Sequence, residues 1–326
     1  MGHVVIFAPA PLVTVTIEDD AAGPDLHVHA GGQGVWQARM LRELGADVTL
    51  CATLTGELGT IAGHLLDDDG VRLSAVRRAG RGAGYVRDRR SGERASILEQ
   101  AGDPLSRHDL DELYAVTLRE AMAADLVVLS GPADEHTLPN DVYRRLSADL
   151  RAAGKPVVVD LAGRRLDAAV AGGAHLVKVS DEELVASGHA DEASADSLAA
   201  GAERLREAGA GHVVVTRAGH PTLLVTEAGA SRVHVPRMEA VDPRGAGDSF
   251  TAGMAAALAD GDDLADAVAL GAAAGALNVT RHGLGSGDAE AIRRLRREVR
   301  IEPFRGDDAG RLSPDDLAGR VEEVGR

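Results

Sequence analysis

The chain runs to 326 residues, 44% of them hydrophobic, enough for one large α/β domain with a sizeable core and a small appendage. A formal charge of −16 and an aromatic content of 2% argue against a nucleic-acid or anionic-membrane binder, which needs basic surfaces and stacking platforms. No run of about 18 apolar residues suggests a transmembrane helix, and the start, His3-Val4-Val5-Ile6-Phe7, lacks a basic leader, so a cytoplasmic location is expected.

Taken in order, 4–7 reads as a buried strand. Residues 13–17 alternate apolar and polar as a half-exposed strand does, 19–24 are turn-like, and 26–29 form the returning strand. Gly31-Gly32-Gln33-Gly34 then opens an amphipathic helix, 35–44, stopped by Gly45. A strand at 48–53 holds Cys51, the single cysteine; its apolar neighbours predict a buried thiol rather than a nucleophile. A helix follows at 59–69. Segments 84–87 and 95–98 flank the turn Arg90-Ser91-Gly92-Glu93 as a second hairpin. From residue 107 strands and helices alternate: helices at 107–123 and 138–153, a short one after Arg164, then 194–208, 247–260, 263–279 and 288–299. The strands between them fall at 126–130, 157–160, 176–179, 212–216, 222–226 and 231–235.

Continuous apolar strands separated by helices predict a mostly parallel sheet covered on both faces. The two early hairpins do not fit that layer and predict a small β-sheet lid. The expected division is an α/β domain over 1–12, 31–80 and 100–300, a lid over 13–30 and 81–99, and a peripheral, partly disordered tail over 301–326.

The chemistry centres on Asp242-Pro243-Arg244-Gly245-Ala246-Gly247-Asp248-Ser249-Phe250-Thr251-Ala252-Gly253. A flexible turn here feeds a helix N-terminus, whose free amides and dipole make a site for an anion such as a phosphate. Asp248 adds a carboxylate beside it. That placement suits a base that takes a proton from a hydroxyl attacking the phosphate, although an ordinary acidic first turn would look similar.

This stretch resembles the second signature of the ribokinase-like (PfkB) carbohydrate kinases, D-T-x-G-A-G-D-x-F-x-x-G. The resemblance implies a three-layer α/β/α ribokinase-like fold. It also implies that Asp248 is the catalytic base and that the amides of Gly245, Ala246 and Gly247 form the anion hole. The run from Gly31 to Arg39 resembles the first signature, G-G-K-G-x-N-x-A, more closely than a dinucleotide fingerprint, whose G-x-G-x-x-G spacing it lacks. Ser91-Gly92-Glu93-Arg94 resembles the arm carrying a phosphate-binding arginine, with Arg94 the best match. Arg94, Asp242, Gly31 and Gly32 accordingly join the substrate-binding set. Lys178-Val179-Ser180-Asp181-Glu182-Glu183-Leu184 resembles K-P-N-x-x-E-L, which organises Mg²⁺ and its waters. Lys178 is read on the phosphate side, Ser180 stands where Asn is usual, and Glu183 meets the metal through water. Asp160, in a D-x-x-G turn, is a second metal candidate. Thr216, Gly219, Asn278 and Gly283 fall where the family wraps its nucleotide. The likeness spans roughly 3–300 and is closest to the 1-phosphofructokinase and tagatose-6-phosphate kinase branch.

Three sugar-contacting positions depart from the pattern: Leu12 replaces an Asp, Gln33 a Lys and Trp36 an Asn. Buried polar groups discriminate ligands by their hydrogen bonds, so the ligand is expected to differ. Trp36 either stacks on a sugar face or base, or plugs the pocket. The main expectation is an ATP-dependent kinase phosphorylating a sugar or sugar phosphate. The alternatives are a nucleoside or other non-phosphorylated alcohol kinase and a non-catalytic sugar or nucleotide binder. ATP and Mg²⁺ are the implied cofactors, with a monovalent-cation site left open. No nucleic acid or membrane partner is expected, while a homodimer through the β lid is.

Overall fold

In the computed structural model, which describes residues 2–20, 23–91, 95–236, 238, 244–280 and 285–306, the first hundred residues form seven strands and two helices. These are β1 (His3–Phe7), β2 (Leu12–Asp20), β3 (Gly23–Gly31), α1 (Gln33–Glu43), β4 (Asp47–Thr55), α2 (Gly56–Asp68), β5 (Arg72–Arg78), β6 (Gly84–Asp88) and β7 (Ala95–Gln100). Then come α3 (Arg107–Met122), β8 (Leu126–Ser130), α4 (Asp141–Ala152), β9 (Val157–Asp160), α5 (Gly163–Gly172), β10 (Ala174–Ser180), α6 (Asp181–Ala186) and α7 (Ala195–Ala208). The last third adds β11 (Ala210–Thr216), β12 (Thr222–Thr226), β13 (Gly229–His234), α8 (Ala246–Ala259), α9 (Leu264–Asn278), α10 (Ala289–Arg296) and β14 (Arg300–Pro303).

Ten of the strands form one sheet in the order β14-β13-β12-β11-β10-β9-β8-β1-β4-β5. From β11 to β5 every pairing is parallel; β12, β13 and β14 extend the sheet antiparallel to one edge. Strand β1 shows why its sequence is an unbroken apolar run. Val4 and Ile6 pack into the core beneath α1, α2, α8, α9 and α10, whereas Val5 and Phe7 pack into the one beneath α3, α4, α5 and α7. Each face buries its own layer, so neither can be polar. Phe7 meets Tyr143 of α4 edge-on, with ring centres 5.7 Å apart.

The two early hairpins are joined into one four-stranded sheet, β3-β2-β6-β7, through a parallel pairing of β2 with β6. Three elements had no counterpart in the sequence reading: the short helix α6, β5 and β14. β5 is charged at both ends (RLSAVRR) and lies at the sheet edge, where charge protects exposed backbone and blurs the apolar pattern. β14 pairs with β13, so residues 301–303 belong to the sheet margin rather than to a peripheral tail; residues 307–326 lie outside the described residues. Cys51 is fully buried, and burial raises its thiol pKa to about 12, which leaves no thiolate for chemistry. No helix among the described residues is long and apolar enough to cross a membrane.

Candidate active site

The site is assembled where parallel strands end, at the carboxyl edge of the sheet. Ser130, Asp160 and Lys178 are register neighbours across β8, β9 and β10 and form a single row. Lys178 Nζ lies 3.2 Å from Asp160 Oδ1, and both side chains are almost fully buried. Asp160 Oδ2 accepts two further bonds, from Thr251 Oγ1 at 2.7 Å and Gln37 Nε2 at 2.9 Å. Both carboxylate oxygens are thus hydrogen-bonded, which offsets part of the cost of burying the pair.

Above that row sits the glycine turn. Gly245 adopts φ 72°, a left-handed conformation that favours glycine, and caps α8. Ala246, Gly247 and Asp248 are therefore the first three residues of the helix, whose amides have no intrahelical acceptor. Glycine at 247 also meets a space requirement, since a Cβ there would lie 2.6 Å from Lys178 Nζ. The ammonium thus packs directly beneath the glycine turn. Asn278 closes the turn from α9: its Nδ2 donates to the Arg244 carbonyl at 2.7 Å.

Asp248 lines a cavity of about 430 Å³ together with Leu12, Thr14, Gln33, Trp36 and Arg87. Burial first, then the charge of Asp160, raises the Asp248 pKa to about 7, against a lowering by Lys178. Burial works to strip Lys178 of its proton, yet the charges of Asp160, Glu183 and Asp248 outweigh it and hold its pKa above the ordinary lysine value. The result is a lasting cation beside a carboxyl group that changes protonation near neutrality, the pattern expected of an acid–base site.

The acceptor wall comes from α1 and the lid. Gly32 has φ 108° and begins α1. Gly31 is hemmed in: a Cβ would lie 2.8 Å from Thr14 Oγ1 and 3.0 Å from both Leu12 and Trp36. Trp36 stands in the cavity wall with the Arg39 guanidinium 5.0 Å from its ring. Gln33, also in the cavity wall, accepts from the Gly131 amide on Oε1 at 2.9 Å. A second cavity of about 510 Å³ shares Tyr85, Pro132 and Ala133 with the first.

Several predicted site residues sit differently from expectation. Asp160 is not free to ligate a metal, because Lys178 engages one of its oxygens and Gln37 and Thr251 the other. Ser180 and Glu183 form a capping box at the start of α6: Ser180 Oγ accepts from the Glu183 amide at 3.2 Å and Glu183 Oε2 accepts from the Ser180 amide at 2.9 Å. The S-x-x-E spacing announced this pair. Glu183 Oε1 is the one carboxylate oxygen it leaves for water. Thr216 is the register partner of Ser180, and Gly219, at φ 72°, turns just beyond it. Asn278 is 1% exposed and its Nδ2 braces the glycine turn through the Arg244 carbonyl. Arg94, Asp242 and Gly283 lie outside the described residues. The sequence reading passed over Gln37, Thr251, Thr14 and Tyr85. For Gln37 a signal existed, a polar side chain on the face of α1 that otherwise buries Val35, Ala38 and Leu41.

Among the described residues no group of three or more His, Cys, Asp or Glu is arranged to hold a metal.

A three-layer α/β/α sheet with a glycine turn, a buried acid–lysine pair and a β lid at its carboxyl edge has the architecture of ribokinase-like sugar kinases. The pfkB family carbohydrate kinase pattern matches residues 4–291, and the chain belongs to that family. It is a phosphotransferase with an alcohol acceptor, a kinase whose family uses ATP and Mg²⁺. It is 26% identical over 274 residues to the 1-phosphofructokinase of Vibrio cholerae, spanning 84% of this chain and 86% of that one. With the 1-phosphofructokinase of Haloferax volcanii it shares 29% over 285 residues, 82% and 88% of the two chains. The fold superposes on the phosphofructokinase-2 from Escherichia coli in complex with potassium with a TM-score of 0.79 at 23% identity, covering 91% and 99%.

Proposed function

We propose that this sugar kinase transfers the γ-phosphoryl group of ATP to a hydroxyl of a sugar phosphate, as its relatives named 1-phosphofructokinase suggest, with Asp248 as the general base. One observation carries the reading: a carboxyl group with a pKa near 7 faces the acceptor cavity from the first turn of α8, directly after the Gly245 turn. Asp248 accepts the proton of the attacking hydroxyl. The amides of Gly245, Ala246 and Gly247 take up charge that develops on the phosphoryl oxygens, and Lys178 adds a fixed positive charge beneath them. Mg²⁺ bound with ATP would supply neutralisation of phosphate charge, and Glu183, through the Oε1 outside its capping box, would hold one of its waters. The potassium complex of the Escherichia coli neighbour is the ground for adding a monovalent cation. Lid segments 13–30 and 81–99 close over the acceptor and exclude competing water.

A non-phosphorylated alcohol is the second reading. Leu12 and Trp36 make the wall less polar, and Arg87 in the cavity is already paired with Glu99 at 2.5 Å. ADP release measured with phosphorylated ketoses, plain ketoses and nucleosides separates the two. Asp248→Asn should lower kcat by several orders of magnitude while calorimetry finds ATP binding unchanged. Retained turnover in that variant removes the base assignment.

A further inference from the structure

We propose that Gln37 is a positioning residue that holds the Asp160 carboxylate in place and thereby ties the acceptor wall on α1 to the phosphoryl-facing turn of α8. The inference rests on the kinase reading above and deepens it.

Gln37 is 0% exposed. Its amide is oriented by chemistry rather than by choice: a carboxylate only accepts, so Nε2 must face Asp160, which leaves Oε1 to take the Ser130 hydroxyl proton. The Tyr143 hydroxyl in turn donates to the Ser130 carbonyl at 3.1 Å. One turn earlier, Gln33 Oε1 accepts from the Gly131 amide. Two glutamines four residues apart thus anchor one face of α1 to the end of β8, and Trp36, between them, is set in the cavity wall by the same anchorage.

Asp160 is engaged at both carboxylate oxygens. Its Oδ1 holds Lys178, whose ammonium underlies Gly247. Its Oδ2 has two donors, Gln37 from α1 and Thr251 from α8, three residues after Asp248. Both helices therefore converge on one oxygen. If one donor is lost, the other holds that oxygen less firmly and the carboxylate gains freedom to swing. If both are lost, a buried carboxylate oxygen has no donor, and the carboxylate must turn or draw Lys178 away from the glycine turn.

The test uses the full chain, whichever ketose supports turnover in wild type, and the variants Gln37→Leu, Thr251→Val and the double variant. Gln37→Leu should lower kcat about tenfold to a hundredfold, with KM for ATP within about twofold and a melting temperature close to wild type. The double variant should lose more than the product of the two single losses. Should Gln37→Leu fail to fold, Ser130→Ala removes the far anchor of the amide and should show a smaller loss with the same split between kcat and KM. Unchanged kcat in the folded variant, a loss confined to KM for the acceptor, or single losses that simply multiply would each overturn the assignment. Absence of turnover in wild type with every acceptor would instead remove the kinase reading on which it rests.

Discussion

Asp248 concentrates the site's conflict in one side chain. Its carboxyl keeps a proton up to a pH of about 7 in the fold, whereas the same group in an unfolded chain loses it near its ordinary value. Between those limits the folded protein binds more protons than the unfolded one, so this residue lowers stability as pH rises. Asn at 248 carries no such penalty. In the ligand-free enzyme, Asp248→Asn should melt above wild type at pH 8, by on the order of 5 °C, and the gap should close toward pH 4 in a calorimetric series. A gap that widened on acidification would mean the carboxylate is stabilised, not strained, by its surroundings. The same value places the acid limb of kcat/KM near pH 7. The motif around Asp248 was plain in the sequence, and so was its helix N-terminus. The value near 7 was not, because it depends on Asp160 and Lys178, 88 and 70 residues earlier in the chain.

At the scale of elements, the site depends on how closely α8 approaches α9. Both helices are nearly featureless in sequence, rich in Ala and Gly, with no polar stripe. Their packing supplies the reason. A Cβ at Gly253 would come 2.8 Å from Gly271 Cα and 2.9 Å from the Leu270 carbonyl, and one at Gly275 2.9 Å from the Ala246 carbonyl. Backbone meets backbone, and nothing there can yield. Gly253→Val should therefore destabilise by about 1–3 kcal/mol in urea unfolding and lower kcat as well, because the displaced helix carries Asp248 with it. A stable variant with wild-type kcat would refute the close-packing account. The alternation of helix and strand from residue 107 onward was readable, with β8, β9 and β12 matching their predicted bounds. β5 and β14 were not, since edge strands need no long apolar run.

At the scale of the whole molecule, the outer face of the lid carries exposed apolar side chains. In the lid, Leu12, Thr14, Tyr85 and Arg87 turn toward the cavities, so strand alternation puts Val15, Ile17 and Val86 on the other face. Register adds Leu26, Val28 and Leu98 to that face, and these three are 64%, 42% and 55% exposed. A sheet face of this kind, on a chain of net charge −16, is the ground for proposing an interface there. A homodimer through the lid is the assembly we propose for it. Leu26→Asp with Leu98→Asp should convert a dimer into a monomer in sedimentation velocity while leaving the melting of the main domain near wild type. A wild-type chain that sediments as a monomer at micromolar concentration would remove the proposal.

The sequence by itself determined the layer architecture and marked the candidate phosphoryl site, because both are written in short-range patterns: apolar strands, helix caps, and a glycine turn followed by an acid. Tertiary structure alone decided what those groups do to one another. Ser130, Asp160 and Lys178 become one row only when three strands align in register, and Gln37 and Thr251 reach that row only from helices far apart in the chain. Burial then sets the charge states, turning a predicted metal ligand into the carboxylate that holds the lysine.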